Sequence, residues 1–120
     1  ADETYEIGQK FSVDLFEVGQ HVNISGLTIG KGNLGNIKRN KFTRGGMSHG
    51  SKSHRLQGSL GAGTTPARVL PGKKMPGRSG YEKRTIKGLE IIDIDKTQNL
   101  IVVKGSIPGK SGNLVSIKLS

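Results

Sequence analysis

Three stretches carry residue types whose spacing suggests chemistry. The first is Ser48-His49-Gly50-Ser51-Lys52-Ser53-His54-Arg55, which holds two of the three histidines. As a metal site it offers two imidazoles with no Cys and no local carboxylate. As a nucleophilic site it has hydroxyls and imidazoles but no acid to orient a ring. Its hydroxyl, imidazole and cationic groups suit phosphate and ribose oxygens better, with Lys52 and Arg55 neutralising charge. The second stretch, Gly30-Lys31-Gly32-Asn33-Leu34-Gly35, fits the dinucleotide glycine pattern after a predicted strand. That pattern also requires a following helix and an acid about twenty residues on. No amphipathic helix is legible over 37–46, and no acid occurs before Glu82. The glycines are better read as a turn and a close backbone approach to phosphate. The third, Gly105-Ser106-Ile107-Pro108-Gly109-Lys110-Ser111, resembles a nucleotide phosphate loop. It is one residue short, and a strand follows in place of a helix. An ordinary turn is expected there.

Two basic clusters complete the chemistry: Lys38-Arg39-Asn40-Lys41-Phe42-Thr43-Arg44 and Gly72-Lys73-Lys74-Met75-Pro76-Gly77-Arg78. They belong to a larger asymmetry. Residues 30–80 hold eleven of the nineteen Lys and Arg residues and none of the nine Asp and Glu residues. The segment therefore carries +11, and the flanks carry eight cations against nine carboxylates. Twelve of the nineteen glycines and three of the four prolines also lie there. Such a segment buries little apolar surface and repels itself, so a polyanion is expected to order it. Cations on a glycine-rich chain can follow a crowded nucleic-acid groove and meet successive phosphates. Phe42 stacks on a base or plugs the mouth of the core, and the sequence leaves both open. Five aromatic residues disfavour a stacking platform for single strands.

The expected nucleic-acid contacts are Lys31, Lys38, Arg39, Lys41, Arg44, His49, Lys52, His54, Arg55, Arg68, Lys73, Lys74 and Arg78. No catalytic residue, metal ligand, cofactor or small-molecule substrate is expected. The pI near 10.2 fits nucleic acid or an anionic membrane. No membrane-length apolar run and no basic amphipathic helix is present, so a membrane partner is not expected. Cysteine is absent, which removes disulfide frames and thiolate metal sites. No signal pattern precedes the body of the chain, and its first residue is Ala1.

The elements that must position these groups lie in the flanks. Alternation of Phe11, Val13 and Leu15 with polar residues predicts a first strand. Val22, Ile24, Leu27 and Ile29 predict a second, bent at Ser25-Gly26. Within 30–80 the apolar residues Leu34, Ile37, Phe42, Met47, Leu56, Leu60, Val69, Leu70 and Met75 show neither period. Strand pattern resumes from Arg84 to Ile94. A turn at 95–99 returns it through Leu100–Lys104 as a hairpin, and Leu114–Leu119 ends the chain. Ile92 and Val102 are expected on the buried face. The fold class is mainly β. A small barrel or sandwich of five strands, from 1–29 and 81–120, is interrupted by a long, glycine-rich basic loop at 30–80.

The run Met47-Ser48-His49-Gly50-Ser51-Lys52-Ser53-His54-Arg55, then Gly58-Ser59-Leu60-Gly61-Ala62-Gly63-Thr64-Thr65-Pro66, resembles the third large-subunit ribosomal protein family (L-three), in its bacterial and plastid form. Gly72–Arg78, Lys31-Gly32, Lys38-Arg39, Asn99–Gly105 and Pro108-Gly109 extend the likeness over nearly the whole chain. The resemblance implies a translation-protein-type β-barrel with a loop that penetrates large-subunit rRNA towards the peptidyl-transferase centre. It implies binding near the 3′ end of that rRNA, a role in subunit assembly, neighbouring large-subunit proteins as partners and no catalytic activity. The implied location is the ribosome, in plastid stroma or bacterial cytoplasm. The family normally carries a further N-terminal stretch that supplies barrel strands, so the barrel of this chain is expected to be incomplete. Some bacterial members have Gln in the stretch matching Ala62 to Thr65; this chain has none, and no glutamine modification is carried over. The rival readings are a free-standing RNA chaperone with a disordered basic arm and a nucleotide-binding enzyme.

Overall fold

The structure, a computed structural model, describes residues 4–120. It divides into two compact units, one formed by residues 1–28 and 82–120 and the other by 29–81.

The first unit is built on a four-stranded antiparallel sheet. Its strands are β1 (His21–Leu27), β4 (Lys83–Asp95), β5 (Leu100–Val103) and β6 (Val115–Leu119), in the order β5-β4-β1-β6. Alternation sets the core face: Val22, Ile24 and Ile91 are fully buried and Leu89 nearly so. Phe16, Ile86, Ile94, Ile101, Val103, Val115 and Ile117 pack against them. The sheet is open, with β5 and β6 as its edges.

Two irregularities bend the long strand β4. Val22 pairs with Leu89 and Ile24 with Ile86, so Lys87 and Gly88 together oppose Asn23. This is a bulge in which Gly88 adopts a positive φ of 72° and its N–H donates to Asn23 Oδ1 at 3.1 Å. A second shift falls at Ile92, between the pairs Ile91–Val103 and Asp93–Val102. The hairpin turn closes on Asp95, whose Oδ1 accepts from Thr97 Oγ1 at 2.6 Å and from Thr97 N–H at 2.9 Å. These bonds, the Thr97 hydroxyl first, hold the Asp95 carboxyl below its ordinary value.

Three expectations are corrected. Phe11–Leu15 is not a strand: Val13–Leu15 forms a single 3-10 turn, capped where Asp14 N–H meets Ser12 Oγ. The apolar alternation there had no partner strand to pair with, and a Ser-x-Asp stretch can bond its own backbone. The bend opposite β1 comes from Lys87-Gly88 on the neighbouring strand and not from Ser25-Gly26. Ile92 and Val102 are 50% and 49% exposed, whereas their neighbours Ile91 and Val103 face the core. The shift at Ile92 turned the alternation over, and a run of apolar residues does not reveal which half faces in.

The second unit contains a two-stranded ladder of β2 (Gly32–Leu34) and β3 (Gly77–Ser79), with Gly32 opposite Ser79 and Leu34 opposite Gly77. A one-turn helix, α1 (Asn36–Arg39), follows β2. Local order thus exists inside a segment whose apolar residues show no period, because polar side chains supply it.

Candidate nucleic-acid interface

The basic unit is organised by amides. Asn36 is almost wholly buried. Its Nδ2 donates to Gln57 Oε1 at 2.5 Å and to the Lys74 carbonyl at 3.3 Å. Its Oδ1 accepts from Asn40 Nδ2 at 2.6 Å, one helical turn on. Asn40 Nδ2 also reaches the Met75 carbonyl at 3.3 Å, and Arg39 Nη1 donates to the same oxygen at 2.5 Å. These bonds join the two basic clusters, 38–44 and 72–78, which are far apart in sequence. Glycine makes room for the junction: a Cβ on Gly77 would lie 3.0 Å from Arg39 Nη1.

A second closure shapes the histidine stretch. Gly45 N–H donates to the His54 carbonyl at 2.8 Å, and Ser51 N–H to the Ser48 carbonyl at 3.3 Å. A Cβ on Gly45 would sit 2.6 Å from the Ser53 carbonyl oxygen, so the two arms of this loop can approach only with glycine there. His49 and Gly50 take positive φ at the tip, 56° and 74°. Glycines 45 and 77 thus give close approach to the chain's own atoms.

All thirteen expected contact residues are exposed. Lys31 precedes β2, with its N–H bonded to the Ser79 carbonyl. Lys38 and Arg39 lie on α1, and Lys41 and Arg44 just beyond it. His49, Lys52 and His54 lie in the closed loop, with Arg55 next to it. Arg68, Lys73 and Lys74 fall between that loop and β3, and Arg78 lies on β3 opposite Asn33. Arg39 also bonds this chain, through Nη1 to the Met75 carbonyl, so it serves the fold as well as the surface. Phe42 is half-buried.

No Asp or Glu stands anywhere in 29–81. Both ion pairs among the described residues, Arg84–Glu82 and Lys96–Asp14, lie in the first unit. Lys96 and Ser12 hold the Asp14 carboxyl below its ordinary value. The cations of the second unit therefore have no carboxylate within that unit to compensate them. Exposed cations of this kind can meet the phosphates of a polyanion. The glycine patterns also lack the geometry of nucleotide sites. Gly30–Gly35 leads into a helix of one turn, and Gly105–Ser111 leads through a turn into β6.

Comparison with known proteins assigns the chain a family. The family described as Ribosomal protein L3 matches residues 1–101. The chain belongs to the ribosomal protein L3 family. A protein of Guillardia theta named large ribosomal subunit protein uL3c is 52% identical over 118 residues, which are 98% of this chain and 58% of that protein. A uL3c of Gracilaria tenuistipitata var. liui is 57% identical over 115 residues, 96% of this chain and 56% of its own. A protein of Prochlorococcus marinus subsp. pastoris named large ribosomal subunit protein uL3 is 57% identical over 115 residues, 96% and 53% respectively. The chain thus spans little more than half the length of these L3 relatives.

Sequence reasoning found the exposed cations of this L3 chain and missed the amides beneath them. Asn36, Asn40 and Gln57 lie in a charged stretch where every neutral polar residue looks like surface. The available signal was the i, i+4 spacing of Asn36 and Asn40 beside glycine.

Proposed function

We propose that this chain is a structural, rRNA-binding constituent of the large ribosomal subunit and not an enzyme. One observation carries the reading: a unit with eleven Lys and Arg residues, no carboxylate and its cations exposed, in a chain of the L3 family. The mechanism is charge neutralisation and shape matching. Lys31, Lys38, Lys41, Arg44, Lys52, Arg55, Arg68, Lys73, Lys74 and Arg78 meet phosphates of several rRNA segments, and His49 and His54 bond phosphate or ribose oxygens. Arg39 contributes by fixing the junction that presents its neighbours.

In this reading residues 30–80 are the part that enters the rRNA, near its 3′ end and towards the peptidyl-transferase centre, and the sheet unit anchors them. The open edges of that sheet, β5 and β6, are completed into a barrel by further strands. The chain works in the ribosome of a plastid or a bacterial cytoplasm, beside other large-subunit proteins, and supports subunit assembly.

Sucrose-gradient sedimentation of ribosomal extracts tests this. The chain is expected with free large subunits and whole ribosomes, and it should remain there through a moderate-salt wash. Recovery only at the top of the gradient, bound to RNA of many kinds, would assign it to free-standing RNA chaperones.

A further inference from the structure

The outward face of the β4–β5 hairpin is the least explained surface of the molecule. Leu100 and Val102 stand on it, 51% and 49% exposed, and Ile92 adds a third aliphatic side chain at 50%. Strand β5 reads Leu-Ile-Val-Val, apolar on both faces, a pattern that goes with a strand covered on both sides. Its other face, Ile101 and Val103, already packs on the core. Single exposed aliphatics are ordinary, but three gathered on one hairpin mark a surface of contact.

The charges around the three say what covers it. Asp93 pairs with Val102 and Asp95 with Leu100, so both carboxylates stand among the aliphatics. Each is pinned by the backbone: Asp93 Oδ1 accepts from Ile94 N–H at 2.8 Å, and Asp95 Oδ1 from Thr97. Glu90 follows on the same face of β4. Lys104 extends β5 beside it, with its N–H on the Glu90 carbonyl at 3.0 Å, and is the one cation in this row. Three carboxylates against one ammonium repel a phosphate backbone, while the aliphatics between them ask to be buried.

We propose that this face docks an extended polypeptide segment of a neighbouring protein in which Lys or Arg alternates with aliphatic residues. The aliphatic side chains cover Ile92, Leu100 and Val102, and the cations meet Asp93, Asp95 and Glu90. The proposal goes beyond rRNA binding, since it concerns the other unit and the opposite charge.

The test titrates the whole chain with a capped hexapeptide of alternating lysine and valine, read by amide chemical shifts. The chain as a whole is +10, which opposes a cationic peptide outside the acidic stretches, and shifts confined to residues 1–20 would overturn the proposal. Saturable shifts centred on Ile92 and Val102 are expected. The double variant Ile92→Ser, Val102→Ser should bind about tenfold more weakly, since two half-exposed aliphatics lose their cover. Asp93→Asn keeps every aliphatic side chain and the Oδ1 acceptor, so it tests charge without disturbing packing; binding should weaken a few-fold and become less salt-sensitive. The proposal is overturned if the peptide causes no saturable shift, or if a glutamate–valine hexapeptide binds as well. Equal binding by Asp93→Asn, protection of the Ile92 and Val102 amides by an rRNA fragment, or self-association of the chain through this face would overturn it too.

Discussion

Asn36 shows how a single neutral side chain can hold a highly charged segment. Its amide joins Gln57, the Lys74 carbonyl and Asn40, and it is almost fully buried. Replacing it with Ala leaves an acceptor on Gln57 and a donor on Asn40 without their partner. The expected cost is about 1–3 kcal/mol of local stability. Amide exchange over residues 36–40 and 74–79 should speed up accordingly, while the amides of β1 and β4 keep their rates. Asp95 makes a second residue-scale case. Its folded-state carboxyl sits below the ordinary value because Thr97 donates to the charged form. A depressed carboxyl contributes stability above its unfolded value and loses it as pH falls through the folded one. The 95–99 turn should therefore loosen below about pH 4, seen as reduced protection of the Thr97 and Gln98 amides relative to their intrinsic exchange at the same pH. Asp95→Asn should flatten that pH response.

At the scale of elements, the β-rich flanks were legible because alternation needs only local chemistry. Val22 and Ile24 announced β1, and the 95–99 turn cluster announced the hairpin. What failed had nonlocal causes. Phe11, Val13 and Leu15 alternate as a strand does but have no partner ladder. Ile91-Ile92 gave no sign of which side chain turns inward, because that depends on a register shift against Val103. The short β2–β3 ladder and α1 were invisible, since their order rests on side chains and carbonyls 35 to 38 residues apart in the chain and not on an apolar period. The distinction at Ile91-Ile92 has a direct consequence. Ile91→Asp places an unpaired charge at a fully buried site and should abolish the cooperative melt of the sheet. Ile92→Asp puts the same charge on a half-exposed position, and its melting midpoint should change little. Thermal circular dichroism on the pair of variants decides the orientation of the strand.

At the scale of the whole molecule, the two units divide the labour by charge. Residues 82–120 with 1–28 carry a near-neutral sheet, and 29–81 carry the entire excess of cations. The candidate contact residues were legible for that reason: eleven cations without one carboxylate can be counted in the sequence. The scaffold that presents them was not, because Asn36, Asn40 and Gln57 carry no charge to notice. Lys73 and Lys74 separate scaffold from surface. Only the main-chain carbonyl of Lys74 joins the Asn36 network, and an alanine keeps that carbonyl. Lys73→Ala, Lys74→Ala should therefore retain the β signal of the parent chain while RNA affinity falls.

The central claim is that uncompensated cations on the second unit bind RNA. It is tested most directly by the slope of log affinity against log salt for a fragment of large-subunit rRNA, measured for the parent chain and for the Lys73→Ala, Lys74→Ala variant. With about 6–10 phosphates contacted, parent affinity should fall by orders of magnitude between ~50 and ~200 mM salt. The double variant should show a slope shallower by about one unit for each phosphate contact it loses. A parent affinity that stays flat across that salt range would contradict the claim, and so would a folded double variant with the parent's affinity and slope at this cluster.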